Sequence, residues 1–399
     1  MKVKIPFILN IRNINRKYIG YGIIVLLTVI SVFFYIQQTK SNSRQISLTA
    51  ELNKTKKDLG QNIKELNDLK NQDQYKKNKE LEKEIADIGS TYGDAVTTYE
   101  QLLDLKSQTN KIGKMDEEFA AILSLLSKRN YASASANLVS LKAEIQKTQE
   151  SLAPVAASTA NVTSNNSPPS SGYSRQNVST DIGTFMVDII SADLNSAKVI
   201  VDTASNSDCN NNCPVDSLGN YAGRSGAFAG VNGPYFCPAE YPSCAGKTNS
   251  FDTLLMNKNK VYFNSANNVY STVPAVIFSG NSARWVGRSQ EWGRDTGVDS
   301  VIAMWPLLVS NGQVVFGGND VAKQSSKGPR SFIGTSGSTV YIGVVYNATV
   351  ADEAKVMHGL GIQNALHLDD GGSTALWSGG RYIAGPGRNT PFGILLVRK

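Results

Sequence analysis

The chain has 399 residues and a formal net charge of +7, and its length suits two or three domains. The positive charge is uneven: Lys2, Lys4, Arg12, Arg16 and Lys17 open the chain without an acid among them, whereas acidic and basic side chains balance over residues 177–399. The C-terminal part therefore shows no bulk electrostatic pull toward nucleic acid, and no nucleic-acid partner is expected.

Residues 18–39 are free of charge and lie between Lys17 and Lys40. Roughly 20 such residues cross a bilayer as a helix, and Tyr18, Tyr21 and Tyr35 sit near the ends as interfacial aromatics do. The basic side is N-terminal. Residues 1–17 are then expected to stay in the cytoplasm as a basic tail, with everything after Lys40 on the far side of a single-pass cell-membrane anchor. A cleaved signal peptide is the alternative; the apolar run is long for one, and Ser41-Asn42-Ser43 lacks the usual Ala.

Residues 41–152 are polar and helix-prone. Leu81, Ile85, Ile88, Tyr92, Ala95, Tyr99 and Leu102 step by four and three in alternation, which is a heptad seam. Leu52, Leu59, Ile63 and Leu66 have related spacing. Met115, Phe119, Ile122 and Leu126 form a stripe, and Tyr131, Ala134, Leu138, Leu141, Ile145 and Leu152 form another after a break at Lys128-Arg129-Asn130. The spacing predicts a coiled-coil stalk followed by a helical hairpin. Such a stalk is a spacer or a dimerising rod, and a homo-oligomer through the coiled coil is the partner it offers.

Residues 153–176 are rich in Ala, Ser, Asn and Pro without apolar periodicity, as in a flexible linker. From Asn177 onward short apolar runs read as strands, at 184–190, 198–202, 273–278, 314–316 and 339–345, punctuated by Gly, Asn and Ser. One helix is expected at about 349–360, with Asp352 and Glu353 in its first turn, where negative charge is favoured, and His358-Gly359 near its end. Residues 177–399 are thus expected to form a strand-rich α+β (mixed α/β) domain.

All four cysteines, Cys209, Cys213, Cys237 and Cys244, fall in this domain. The even count and an extracytoplasmic location favour disulfides over a zinc site, for which the spacing is poor and no His lies nearby. Three pairings are open; the local one, Cys209–Cys213 with Cys237–Cys244, is predicted from the close spacing within each pair.

Three stretches carry chemistry. The first is Ala365-Leu366-His367-Leu368-Asp369-Asp370-Gly371-Gly372-Ser373-Thr374-Ala375. It starts with strand alternation, placing His367 and Asp369 on one face, and stops in a glycine turn followed by two hydroxyls. A carboxylate there suits a sugar or phosphate; the plain alternative is an Asx-type turn. The second is Gly230-Val231-Asn232-Gly233-Pro234-Tyr235-Phe236, where the Asn amide has donors and an acceptor for sugar hydroxyls. The third is Gly328-Pro329-Arg330-Ser331-Phe332-Ile333-Gly334, whose planar guanidinium suits phosphate.

Together these motifs, in this order, resemble the phosphodiester glycosidase domain family, and Arg388-Asn389-Thr390-Pro391-Phe392-Gly393-Ile394-Leu395-Leu396-Val397 looks like its terminal strand. The resemblance covers about 177–399. The family pattern usually has three glycines after its first Asp; here Asp370 takes the first glycine's place.

The resemblance implies hydrolysis of a sugar-1-phosphodiester at the sugar–phosphate linkage, through an oxocarbenium-like state that a carboxylate opposes. Asp369 is the expected catalytic carboxylate, with Asp370 a second and Arg330 absorbing the phosphate charge. Asn232, Gly233, Tyr235, His367, Gly371, Gly372, Ser373, Thr374 and Arg388 are the expected substrate-binding residues. His367 is expected to orient Asp369 or donate to phosphate, with a purely structural role as the alternative for a lone His. No cofactor is expected; Asp369, Asp370 and Glu240 have the chemistry for a hard cation such as calcium, but no ligand loop is recognised. The expected protein is an anchored glycosidase acting on cell-wall or exopolysaccharide material. A related domain that binds phospho-sugars without turnover, and a structural envelope protein, are the alternatives.

Overall fold

A computed structural model describes residues 16–110, 112–152, 165–264, 271–293, 297–319 and 321–399. Most of the expected basic tail, and positions 153–164 of the expected linker, lie outside the described residues. The chain divides into two compact units, Met1–Ala86 and Asp87–Lys399.

In the first unit a single helix, α1 (Arg16–Lys70), runs on from the apolar segment into the polar one. Its stretch from Gly20 is long and apolar enough to cross a membrane. Helix α2 (Asp73–Gln108) follows. Leu52, Leu59, Ile63, Leu66, Leu81 and Ile85 are all exposed, so among the described residues of this unit no second strand covers this part of the predicted seam.

In the second unit part of the seam is buried, although Tyr92 stays exposed. Ala95 and Leu102 pack with Leu105 against α3 (Met115–Ser127) and α4 (Tyr131–Leu152), whose stripes supply Met115, Phe119, Ile122, Leu126, Leu138, Leu141 and Ile145. The helices separate at the expected break, where Arg129 takes a left-handed conformation (φ 56).

The rest of the unit is α+β, and every strand pairing is antiparallel. The largest sheet has seven strands, in spatial order Gly172–Thr180, Gly183–Asp193, Thr339–Ala348, Gly328–Ser336, Asn364–His367, Leu307–Ser310 and Gln313–Val314. A second has Arg381–Ala384, Leu376–Ser378, Ala229–Asn232, Phe392–Arg398 and Ala197–Thr203. A third has Tyr262–Phe263, Leu255–Met256, Ser300–Ala303, Ala275–Ser279 and Ser282–Val286.

Period-two alternation splits the seven-stranded sheet cleanly. Ile190, Ala192, Val340, Ile342 and Val344 face a core shared by all three sheets, whereas Val187, Ile189, Tyr341 and Val345 face the opposite side. There they meet Val350, Ala354 and Met357 of the helix Val350–Gly359. Each of these fully buried aliphatic side chains contributes roughly 1.5–3 kcal/mol. The helix starts in a capping box, Thr349 accepting from the Asp352 amide at 3.1 Å and Asp352 accepting from the Thr349 amide at 2.9 Å.

Two strand expectations shift. The run at 314–316 forms only Gln313–Val314, because Val314 and Val315 are exposed at the sheet edge. The strand expected to reach Asp369 stops at His367. Two local disulfides, Cys209–Cys213 and Cys237–Cys244, staple the loops on either side of the strand Ala229–Asn232.

Candidate active site

The site grows from the end of the strand Asn364–His367. His367 is still in register, opposite Phe332. Beyond it the backbone crosses from one sheet to the next: the Leu368 amide donates to the Ser331 carbonyl at 2.8 Å, and the Asp369 amide to the Gly233 carbonyl at 3.0 Å. Asn232 locks this crossing. Its Nδ2 donates to the Asp369 carbonyl at 2.6 Å, while its Oδ1 accepts from Ser331 Oγ at 2.8 Å and the Ala375 amide at 3.0 Å. Fully buried and engaged at both amide atoms, Asn232 braces the turn and has no group left over for sugar hydroxyls.

The turn Gly371–Ser373 follows, with Gly371 left-handed (φ 55). A Cβ at Gly372 would lie 2.3 Å from Arg388 and 2.4 Å from Ser107 Oγ, so only glycine allows those groups their approach.

Asp370 turns inward to a charged cluster. Its carboxylate receives Arg330 Nη1 and lies 3.2 Å from His367 Nε2. Arg330 is buried, with Nε on the Ala348 carbonyl at 2.8 Å and Nη2 on the Ser326 carbonyl. The Nδ1 of His367 lies 2.7 Å from Glu353 Oε2 and its Nε2 lies 3.0 Å from the Tyr235 hydroxyl. Burial opposes charge on His367, but Glu353 and Asp370 outweigh it and raise the imidazole to about 9. Burial likewise opposes charge on Asp370, yet Arg330 and His367 hold it below the usual carboxylate range. Glu353 is pushed up by burial, with His367 and Arg330 opposing.

Asp369 has the contrary environment. Its carboxylate accepts from the Asp370 amide at 3.0 Å and from the Ser373 hydroxyl. Burial first, and the charge on Asp370 second, push it up to about 7. The two neighbouring carboxyl groups thus separate into one held ionised and one able to exchange a proton at neutral pH, the division of labour that acid–base chemistry needs.

The helical hairpin closes one side. Asp104 of α2 accepts from the Tyr241 hydroxyl at 2.6 Å and pairs with Arg388 Nη2. Glu100 accepts from Ser243 Oγ and from Lys323 Nζ, the latter at 3.0 Å. Desolvation raises Asp104, with Arg388, Lys323 and Tyr241 opposing. With the hairpin in place, the cavity beside Arg330 and Asp370 measures only about 20 Å³.

The expected residues Asn232, Gly233, Tyr235, Arg330, His367, Asp369, Asp370, Gly371, Gly372, Ser373 and Arg388 therefore come together, with Thr374 buried beside the turn. Two details depart from expectation. His367 serves Asp370 and Glu353, not Asp369, because the strand ends at His367, two residues short of Asp369, so the two do not share a strand face. Asn232 faces the backbone, not the ligand. Glu240 is exposed, and among the described residues no group of three or more His, Cys, Asp and Glu side chains is placed to hold a metal.

Sequence reasoning missed Glu353 and Asp104. Glu353 is expected only as a favourable charge in the first helical turn; its signal is its place one position after the capping Asp352, on the apolar face with Val350 and Met357. Asp104 stands alone among Leu102, Leu103 and Leu105, an acid inside an apolar run.

Residues 225–397 match the sequence profile of the phosphodiester glycosidase family. No curated protein matches the chain. Among solved structures, the catalytic domain of zebrafish N-acetylglucosamine-1-phosphodiester alpha-N-acetylglucosaminidase, auto-inhibited by its pro-peptide, aligns at 13% identity. That alignment covers 62% of this chain and 92% of that one, with a TM-score of 0.44. A hypothetical protein from Synechocystis aligns at 12% identity over 57% of this chain and 62% of that one, with a TM-score of 0.41. The chain thus spans about three fifths of the Synechocystis protein's length.

Proposed function

We propose that this protein is a membrane-anchored, extracytoplasmic glycosidase that hydrolyses sugar-1-phosphodiester linkages in cell-wall or exopolysaccharide material. The observation that carries the reading is the unlike pair Asp369 and Asp370, one raised to about 7 and the other held ionised. Cleaving the C1–O bond builds positive charge on the sugar and negative charge on the departing phosphate ester. Asp370 supplies the fixed negative charge, and Asp369 takes the proton of the attacking water. A phosphate ester leaves without a strong general acid. Arg388 supports its charge: Nη1 of that guanidinium is buried without a hydrogen-bond partner among the described residues. The apolar stretch of α1 and the basic residues before it support the anchor and its orientation. The exposed seam of α1 and early α2 supports pairing with a second copy.

The test is hydrolysis of a nitrophenyl ester of a sugar 1-phosphate by the purified chain. Asp369→Asn should lose on the order of a hundredfold or more in rate with no fall in melting temperature. Full activity in that variant would end the mechanism. A second reading, phospho-sugar binding without turnover, draws on Asp370 standing where the family has glycine and being held by Arg330 and His367. Tight binding of the same ester with no release of nitrophenol would favour it.

A further inference from the structure

A cavity of about 350 Å³ opens between the helical hairpin and the seven-stranded sheet, bordered by Gly371 and Thr374 of the active-site turn. Its size lies in the range of pockets that hold small ligands, about 300–1,000 Å³. Helix α2 contributes the amide of Gln108 and α4 that of Gln149, and the sheet side contributes Asn347, Tyr346 and Arg175. Thr374 is 6% exposed, and its hydroxyl has no hydrogen-bond partner among the described residues. A buried hydroxyl in that state is costly unless something completes it.

The lining also selects a chemistry. Arg175 is its one charged side chain, and Nε and Nη2 of that guanidinium already donate to Asp188 at 2.8 and 2.7 Å. The Tyr346 hydroxyl donates to Asp188 as well, at 2.7 Å, which leaves its ring as a wall. With the cationic charge thus neutralised, three side-chain amides, a free hydroxyl and an aromatic wall suit a neutral polyhydroxylated ring better than an anion or a lipid chain.

We propose that this pocket is a saccharide subsite that takes a neutral sugar unit adjoining the scissile linkage, so that the hairpin helps choose the substrate. The proposal rests on the glycosidase reading for what the pocket serves, but not for whether it binds sugar. It makes polymeric or oligomeric glycans, and not isolated sugar phosphates, the preferred substrates.

The test uses the full chain purified in mild detergent. Leu152 of α4 lines this pocket and not the cavity beside Arg330 and Asp370; Leu152→Trp fills the pocket and Leu152→Ala is the milder companion, each checked by its melting temperature. Two substrates are compared: a nitrophenyl ester of a sugar 1-phosphate, and the same ester extended by one neutral hexose. The tryptophan variant should lose about tenfold or more in kcat/KM on the extended ester, through KM, and keep its rate on the short one; the alanine variant should show a smaller loss in the same direction. Equal losses on both esters, or none, would overturn the proposal. If the unmodified chain cleaves neither ester, the glycosidase reading fails while the subsite is still decided, by calorimetric titration with chitobiose and maltose. Millimolar or tighter binding of either disaccharide that Leu152→Trp abolishes sustains the subsite, and no binding of either to the unmodified chain refutes it.

Discussion

Glu353→Gln is the most informative single change, because it keeps shape and hydrogen bonding and removes one charge from a fully buried pair. His367 is fully buried, and its rise from the ordinary 6.5 to about 9 is the balance of burial against Glu353 and Asp370. At 1.36 kcal/mol per tenfold, that rise corresponds to about 3 kcal/mol in favour of the imidazolium. Glu353 is the largest favourable contributor, so without its charge burial regains ground and the imidazole should titrate at about 7 or lower. The sign for stability follows. The folded chain keeps the His367 proton to higher pH than the unfolded chain, so this contribution is complete below about 6.5 and is lost as pH rises through about 9. In Glu353→Gln most of that slope should vanish. The chain has only two histidines, so the ring carbon-bound protons can be followed by NMR across pH 5 to 10, with melting temperatures recorded over the same range. A wild-type His367 that titrates near 6.5, or an unchanged titration near 9 in the variant, would refute the assignment of the imidazolium to the Glu353–His367–Asp370 chain.

The pH profile of kcat/KM should show an inflection near 7 that belongs to the Asp369–Asp370 pair and disappears in Asp369→Asn. Because the folded state holds the Asp369 proton where the unfolded state has lost it, stability should fall between about pH 4 and 7 in the wild type and less so in that variant, as melting curves would show. Asp370→Gly restores the family's usual residue but leaves Arg330 buried without its carboxylate, so it should cost about 3–5 kcal/mol and lower the melting temperature; an unchanged melting curve would contradict the pairing. A reporter fused after Lys399 should work only in an oxidising, extracytoplasmic compartment; activity of a cytoplasm-only reporter there would overturn the orientation.

What the sequence determined was local. The helix Val350–Gly359 is legible from its capping residues, the break between α3 and α4 from Lys128-Arg129-Asn130, and the disulfide pairs from cysteines only a few residues apart. The two faces of the large sheet follow from period-two alternation. These features depend on neighbours within a turn or a strand, where spacing alone dictates which side chains meet. Only the tertiary structure decided which charges share the site. Glu353 reaches His367 because the strand Gly328–Ser336 inserts between Thr339–Ala348 and Asn364–His367, and the helix joining those two packs its apolar face back over the sheet. Asp104 meets Arg388 across 284 positions of sequence, and Asn232 meets the Asp369 carbonyl across 137. No periodicity links residues so far apart. Their meeting follows from how separate sheets and helices close over one core, and with it the burial that raises Asp369 while Arg330 and His367 keep Asp370 ionised.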